Sequence, residues 1–224
     1  MSTTSFLRRA PLAVALAAGA VAASTACLPD PPWPPLPTTT TTSPTTTPPT
    51  TAPTTTTTAP TGQQDVIVFD IDGTLTTDEG SNAVQPSAAA AVKAYVAKGY
   101  AVVYVTARWK AVQESSTRSW LSSNGFPDLP LYMSSSLLLS DSSKVTYKTS
   151  TMNTIEQGAP EIVGAYGDSS SDFTAYANVG VPTARVFALK RSSASTCQSG
   201  TYAACLTDGY TSHLAFIQAL PAGH

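Results

Sequence analysis

Between residues 63 and 224, short apolar runs alternate with segments that have the composition and spacing of amphipathic helices. Apolar runs rich in β-branched and aromatic side chains predict strands that are buried on both faces of a parallel sheet. Five strands are predicted, of which the third is the weakest: 66–69, 101–106, 129–133, 162–166 and 185–189. Helices are predicted in the gaps and after the last strand: 88–98, 109–124, 152–157, 172–177 and 212–220.

The first predicted helix has signals at both of its ends. Pro86 suits its first residue, where a backbone N–H is not needed, and Gly99 suits its C-terminal cap. Val92, Tyr95 and Val96 fall on one face, which is expected to pack on the sheet. Strands separated by helices are typical of a parallel sheet with helices on both faces. The predicted fold class is therefore α/β with three layers.

Residues 1–26 have the layout of a secretory signal peptide, with a basic start, an apolar run over 12–23 and small residues before Cys27. The run is too short for a bilayer span of about 20 residues. Residues 24–27 resemble a bacterial lipoprotein cleavage site, at which lipid is attached to the cysteine. The alternative is an ordinary secretory cleavage that leaves Cys27 as a free thiol. We expect the protein to be exported, either secreted or anchored to the outer face of the cell envelope.

Residues 27–62 are dominated by Pro and Thr and contain few large apolar side chains. Such a segment cannot bury enough surface to offset its chain entropy, so we expect a disordered, semi-stiff stalk. Residues 63–224 then form one domain. Without residues 1–26, ten basic and fourteen acidic residues remain, a net charge of −4. Because the remaining residues contain no basic cluster, nucleic acid is excluded as a partner. We also expect the protein to be a monomer.

Cysteine and histidine are scarce in the domain. Cys197 and Cys205 bracket a polar loop, and after export to an oxidising compartment they are expected to form a disulfide. His213 and His224 are the histidines of the chain, and His213 is interpreted as a surface helix residue. A hydrolase of the Ser/His/Asp type is therefore disfavoured.

Candidate chemistry begins directly after the first strand. Asp70 and Asp72 follow it one residue apart, and Gly73 ends it. Ligands of open α/β sheets bind beyond the carboxyl ends of the strands, so both acids are placed for function. Carboxylates this close repel each other unless a cation lies between them. Oxygen ligands of this kind suit Mg²⁺, although an ordinary Asp-Gly turn is the alternative.

Three more candidates follow in chain order. Thr106 is predicted at the end of the second strand, Lys148 before a short helix, and Asp168 after the fourth strand within the sequence GDSSSD at 167–172. With DIDGT at 70–74, these residues match in order the four motifs of the haloacid dehalogenase-like superfamily of Mg²⁺-dependent phosphohydrolases, which the sequence resembles. It is most similar there to the lipin-type phosphatase domain, which also occurs at the carboxyl end of some phosphatidylinositol transfer proteins.

The resemblance implies a role for each matched residue. Asp70 would be the nucleophile that forms an aspartyl-phosphate, and Asp72 would be the general acid and base. Thr106 and Lys148 would hold the phosphoryl oxygens. Asp70, Asp168 and the backbone carbonyl of Asp72 would hold Mg²⁺.

Several assignments have alternatives. Asp172 would orient Lys148 or a metal-bound water, or it would simply cap a helix. Lys144 is a rival of Lys148, and Arg108 would either bind substrate phosphate or cover the surface. Thr106 and GDSSSD depart from the lipin pattern, which commonly has Ser at the first position and Asn after the Gly of the second. These departures leave open whether the substrate is phosphatidate.

The spacing of the motifs leaves no room for a separate cap domain, since one helix uses much of the segment between Asp72 and the second strand. An open site suits a large phosphate ester or one held at a membrane surface, such as a lipid phosphate. The sequence therefore predicts an exported Mg²⁺-dependent phosphomonoester hydrolase. The alternative is a binding module that recognises a lipid phosphate without turnover.

Overall fold

A six-stranded, all-parallel sheet organises the part of the chain that the structure describes. The structure is a computed structural model, and it describes residue 60, residues 62–158 and residues 160–224. The predicted signal peptide over 1–26, Cys27 and nearly all of the predicted stalk over 27–62 lie outside the described residues. The domain boundary at residue 63 thus stays a prediction.

The strands and helices alternate along the chain for most of its described length. The strands are β1 (Asp65–Phe69), β2 (Ala101–Trp109), β3 (Leu131–Ser134), β4 (Glu161–Gly167), β5 (Val186–Leu189) and β6 (Ala204–Leu206). The helices are α1 (Ala88–Ala97), α2 (Lys110–Ser123), α3 (Asp141–Glu156), α4 (Ser170–Asn178) and α5 (Leu214–Ala219), with a 3₁₀ turn at Thr183–Arg185.

The strands are ordered β3-β2-β1-β4-β5-β6, and each neighbouring pair is parallel. The chain winds outward from β1 to β3, then returns to place β4 on the other side of β1. The strand order therefore reverses between β1 and β4, which is the point where open α/β sheets form a crevice for ligands. The predicted three-layer α/β class is confirmed.

Alternate residues of β1 enter two separate cores. Val66 and Val68 pack with apolar residues of α3 and α4 on one face of the sheet. Ile67 and Phe69 pack with residues of α1, α2 and α5 on the other face. All four side chains are at most 3% exposed, as expected for a strand covered on both faces. The central strand thus holds its carboxyl end rigidly between two packed layers.

Helix α3 is the largest departure from the predicted elements. The sequence predicted a helix only over 152–157, whereas α3 begins at Asp141. A capping box starts it, because the Ser140 and Ser143 side chains each accept a hydrogen bond from the backbone N–H of the other. The early segment has few apolar residues, so its helical period was weak. Lys148 consequently lies within α3, not before a short helix.

Smaller corrections concern the ends of elements. Strand β2 continues to Trp109, so Thr106 does not end it; the pairing with β3 shifts register between Thr106 and Trp109. Helix α1 begins at Ala88, two residues after Pro86. Val96 of α1 is 39% exposed and does not share the buried face. Strand β6 was not predicted.

His213 is buried, and its interpretation as a surface helix residue was wrong. Its Nε2 lies 2.8 Å from the Tyr166 hydroxyl, which lies 2.7 Å from the Tyr95 hydroxyl. Burial lowers the pKa of His213 to about 4, so the imidazole is neutral at physiological pH. His213 packs in the core against Tyr166 and Phe187. It is not part of the site described below.

A disulfide joins Cys197 and Cys205, as expected from the sequence, with the two Cα atoms 5.9 Å apart. Cys205 lies in β6 and Cys197 is buried against α4 and the sheet. The bridge thus links the segment between β5 and β6 to β6 itself. Among the described residues, no helix combines the length and apolarity that crossing a bilayer requires.

We expect the Cys197→Ser/Cys205→Ser double variant to be less stable than the wild type by about 2–3 kcal/mol, since it frees a short loop in the unfolded chain. Equilibrium urea unfolding of both proteins measures the difference. The reduced wild type serves as the control and should match the variant. Equal unfolding free energies for oxidised wild type and variant would contradict the prediction.

Candidate active site

Three acidic residues directly follow the ends of β1 and β4. Asp70 and Asp72 follow β1, and Asp168 follows β4, its neighbour in the sheet. The turn after β1 depends on Gly73, which has φ of +75° and faces the Asp168 side chain so closely that a Cβ would lie 2.0 Å from its Oδ2. Only glycine fits there, because the position needs both a left-handed backbone and the missing side chain.

Lys148 reaches this crevice from the middle of α3. Its Nζ donates to Asp70 Oδ1 at 2.6 Å and to Asp172 Oδ1. The ammonium group is buried, with 4% of the side chain exposed. Lys148 therefore ties the first strand to α4, and the structure brings it together with Asp70 as the resemblance implied. Its rival Lys144 lies farther out and pairs with Glu79 at 3.4 Å.

Asp172 fulfils both of the roles that the sequence left open. It is the third residue of α4, and its Oδ2 accepts from the Ser169 N–H at 3.1 Å, the Ser169 hydroxyl at 2.8 Å and the Asp168 N–H at 3.2 Å. These bonds cap the helix. Its other oxygen accepts from Lys148. Asp172 thus fixes the Lys148 ammonium and the backbone that carries Asp168.

Arg191 is a site residue that the sequence reasoning missed. Its Nε donates to Asp168 Oδ2, and its Nη1 lies 3.3 Å from Glu79 Oε2. Arg191 follows β5 by two residues, so the rule that sites lie at the carboxyl ends of strands would have found it. Thr74 was also missed; its hydroxyl lies 3.2 Å from Asp70 Oδ2 and 3.5 Å from Asp168 Oδ1.

Asp72 is held apart from the other acids. Arg108 binds it with Nε at 2.9 Å from Oδ2 and Nη2 at 2.7 Å from Oδ1. The Thr106 hydroxyl lies 3.4 Å from Asp72 Oδ2 and accepts from the Arg108 N–H at 3.3 Å. Thr117 accepts from the far side of the guanidinium at 3.0 Å. Arg108, Thr106 and Asp72 therefore form one hydrogen-bonded group at the edge of the crevice.

Burial and mutual repulsion perturb the acids at the centre. Burial is the main cause that raises the pKa of Asp70 to about 7, with Lys148 opposing it and Asp172 and Asp72 adding to it. Burial likewise raises the pKa of Asp168 to about 8, with added repulsion from Asp172 and Asp70 and opposition from Arg191. Both acids lack enough positive charge nearby to stay ionised easily.

Lys148 and Asp172 form the charged pair of the site. Burial acts to raise the pKa of Asp172, but the Lys148 ammonium and the Ser169 hydrogen bonds hold it below its usual value. Burial acts to lower the pKa of Lys148, and the carboxylates of Asp172 and Asp70 more than reverse this. Lys148 is therefore fully protonated, so it can offer positive charge to an anion in the crevice.

The acid cluster fits a divalent cation. One carboxylate oxygen from each of Asp70, Asp168 and Asp172 lies within 4.8 Å of the others, and all three residues are buried. Carboxylate oxygens are the ligands that Mg²⁺ prefers, and a cation would supply the charge that the raised pKa values of Asp70 and Asp168 show to be lacking. The Asp72 side chain is not in this group, and a metal contact through its backbone carbonyl stays a prediction.

The acids line a cleft of about 240 Å³. Its walls also contain Arg108, Lys144, Lys148 and Leu138. Between β1 and β2 the chain forms α1 and an isolated antiparallel bridge at Thr76 and Val84, with no inserted domain. The cleft is thus small and has cationic side chains on one side, and the described part of the chain forms no cap domain over it.

Comparison with known proteins places this arrangement in a family. A family model described as "PITM 1-3, LNS2 domain" matches residues 67–190. The protein retinal degeneration B of Drosophila melanogaster is 30% identical over 159 residues, covering 69% of this chain and 12% of that protein. The membrane-associated phosphatidylinositol transfer protein 3 of Mus musculus is 30% identical over 165 residues, covering 71% of this chain and 16% of that protein. This chain therefore matches only a small part of each relative's length.

Two solved structures that are similar to this chain share little sequence with it. D,D-heptose 1,7-bisphosphate phosphatase from B. bronchiseptica, in complex with magnesium and phosphate, has a TM-score of 0.47 and 15% identity. The match covers 70% of this chain and 99% of that chain. A phosphoserine phosphatase in its apo form has a TM-score of 0.47 and 12% identity, covering 69% of this chain and 99% of that chain.

The raised pKa values predict a pH-dependent response to Mg²⁺. Between roughly pH 4 and pH 8, folded Asp70 and Asp168 hold protons that the unfolded chain has released, so their contribution to stability falls as pH rises through this window. A metal ion competes with those protons. We expect a fixed Mg²⁺ concentration, about 100 times the Kd at pH 8, to raise Tm by roughly 5–10 °C near pH 8 and by much less near pH 5.

Thermal unfolding with and without Mg²⁺ at the two pH values measures this response. The Asp168→Asn variant is the control, since it lacks both a ligand oxygen and a titrating carboxyl group and should lose most of the shift. An equal rise in Tm at both pH values would contradict the assignment of the cluster.

Proposed function

This chain belongs to the LNS2 domain family, and on that premise we propose that it is a Mg²⁺-dependent phosphomonoester hydrolase acting through an aspartyl-phosphate. The observation that carries the proposal is the contact of Asp70 with Lys148 at the end of the central strand. A nucleophilic carboxylate must be anionic while it faces an anionic phosphoryl group. A buried, protonated lysine at 2.6 Å favours that state.

In the proposed reaction a carboxylate oxygen of Asp70 attacks phosphorus, and the bond from phosphorus to the ester oxygen breaks. Lys148 stabilises the negative charge that gathers on the phosphoryl oxygens. Asp172 keeps the ammonium group in place through its own hydrogen bond. Water then attacks the phosphorus of the aspartyl-phosphate, which releases phosphate and restores Asp70.

Asp72 would give a proton to the leaving ester oxygen and take one from the attacking water. Arg108 holds both oxygens of Asp72, so this role requires the guanidinium to release it. A substrate phosphate, which is itself a bidentate acceptor for arginine, would compete for Arg108. Thr106, bonded to Asp72 at 3.4 Å, would donate its hydroxyl to a phosphoryl oxygen.

Asp70, Asp168 and Asp172 carry the oxygens that would hold Mg²⁺, with the Asp72 carbonyl expected as a further ligand. When bound, the ion would neutralise charge on the phosphoryl oxygens and offset repulsion among the acids. The lipin-like relationship and the open cleft support a large or lipid phosphate ester as the substrate, phosphatidate included.

A second candidate function is recognition of a lipid phosphate without turnover. The bidentate pairing of Arg108 with Asp72 favours it, because a general acid that stays bound to arginine cannot transfer protons. Arg108, Lys144 and Lys148 in the cleft would still attract a phosphate group. The two functions differ in whether phosphate is released.

We expect Asp70→Asn to abolish Mg²⁺-dependent phosphate release, by at least about 10³-fold, while the fold is retained. The amide keeps the size of the carboxylate but is not a nucleophile. Phosphate release from a panel of esters that includes phosphatidate, with circular dichroism of each protein, is the measurement. Asp65→Asn, an equivalent change at the opposite end of β1, should stay within about twofold of wild type.

Activity of Asp70→Asn within a few-fold of wild type would end the covalent mechanism. A wild type that binds these esters in the presence of Mg²⁺ but releases no phosphate would instead favour the binding module.

We further propose that the protein is exported and held at the outer face of the envelope through Cys27, on the layout of residues 1–27. Expressed in a bacterial host, the mature chain should begin at Cys27 and carry lipid. Mass spectrometry of its N-terminus measures this, with Cys27→Ser as the control. An uncleaved chain in the soluble fraction would contradict export.

A further inference from the structure

A second cavity lies beside the cleft and is about three times larger. This cavity, the α3 groove, measures about 730 Å³. One of its sides is formed by β3 and the loop that follows it, and the other by α3. Tyr132, Ser134 and Leu138 line one wall, and Ser143, Tyr147 and Thr151 of α3 line the other. Small-molecule sites commonly measure about 300–1,000 Å³. The groove has the volume of such a site, whereas the cleft holds little beyond a phosphoryl group.

The groove and the cleft are adjacent. Leu138 lines both cavities. Adjacent residues of α3 also divide between them, since Lys148 extends to Asp70 in the cleft while Tyr147 lines the groove. A molecule whose phosphoryl group lies against Lys148 would therefore have its remaining atoms directed past Leu138 into the groove.

The surface of the groove is largely apolar, although most of its lining residues carry hydroxyl groups. None of these residues is charged. The Thr146 and Thr154 hydroxyls donate to the carbonyls of Ser142 and Ser150 at 3.0 and 2.9 Å, and Ser134 donates to the Ser136 carbonyl at 2.6 Å. These three hydroxyls thus already have backbone partners, and most of the surface that lines the groove belongs to carbon atoms.

One buried polar group in the lining has no partner among the described residues. The Tyr147 hydroxyl is buried and makes no hydrogen bond within the described part of the chain; Thr151 is close to it but not in hydrogen-bonding geometry. Buried polar groups without partners are uncommon and costly. An oxygen of a bound molecule would satisfy it.

We propose that the α3 groove binds the uncharged, largely apolar organic group of the ester whose phosphoryl group lies in the cleft. The assignment rests on the proposed function for the position of the phosphoryl group. Leu137 and Leu139, the chain neighbours of Leu138, are 60% and 86% exposed and offer further apolar surface to a long chain. The groove thus selects esters by their apolar chain, and an oxygen of the bound ester accepts a hydrogen bond from the Tyr147 hydroxyl.

Binding of methyl-, butyl- and octylphosphonate in the presence of excess Mg²⁺ tests the assignment. These compounds share a headgroup and cannot be hydrolysed, so calorimetry reports binding alone. Each methylene that becomes buried should lower Kd by up to about fourfold. We expect octylphosphonate to bind wild-type protein at least about tenfold more tightly than butylphosphonate.

Two substitutions that fill the groove should remove the affinity advantage of octylphosphonate. Thr151→Trp places a large ring inside it, and Ser142→Trp does so from an exposed position at the start of α3. In the folded variants the advantage of octylphosphonate should fall to about twofold or less, with the affinity for methylphosphonate kept. Asn153→Trp, on an exposed part of α3 outside the groove, is the control and should bind as wild type does.

A wild type with equal affinity for the three phosphonates would overturn the assignment. Chain-length dependence that persists in both groove variants, or that is also lost in Asn153→Trp, would overturn it too. The result is independent of turnover. Octylphosphonate binding through the groove in a protein that hydrolyses no ester would remove the proposed hydrolysis and leave the groove assignment standing.

Discussion

The buried ammonium group of Lys148 between Asp70 and Asp172 is the interaction on which the site depends. It links the central strand, α3 and α4, three elements that come from distant parts of the chain. Loss of one partner from such a buried pair typically costs about 3–5 kcal/mol, because the other charge stays behind without compensation. The sheet and its two cores place these groups within contact, and their charges then determine what else can enter the cleft.

The charge balance of the cleft explains why two functions compete. The four aspartates of the cleft are paired with three cationic side chains: Lys148 is shared by Asp70 and Asp172, Arg191 binds Asp168 and Arg108 binds Asp72. The balance leaves the centre short of positive charge and the edge fully paired. A divalent cation would supply the positive charge that the centre lacks. An incoming phosphate would compete with Asp72 for Arg108 at the edge. If Arg108 releases Asp72, Asp72 can transfer protons and the protein can be a catalyst; if it does not, the protein can only bind the phosphate.

The features that the sequence could predict are those encoded by local pattern. The apolar run of β1, its two acids and the turn at Gly73 lie within ten residues, so both the element and its chemistry were visible. Helix α3 was largely missed, because its early part is rich in Ser and Thr and its cap uses Ser143 where glutamate is usual. Strand β6 is short and partly exposed, without alternation. Arg191 and the burial of His213 depend on contacts with residues far along the chain, which no local pattern reports.

The position of β1 in the sheet has a consequence for how the chain folds. Its first neighbour, β2, follows after about 30 residues, but β4 arrives only after Glu161, and the partners of Asp70 and Asp168 include Lys148 and Arg191. Contacts over such separations carry a large loop-closure cost and slow folding. A nascent chain that ends before Glu161 can form only the β3-β2-β1 part of the sheet and leaves one edge of β1 open. A chain that ends before Arg191 leaves Asp168 without its counter-charge. The central strand and the site therefore reach their complete set of partners only after the chain has been synthesised as far as Arg191.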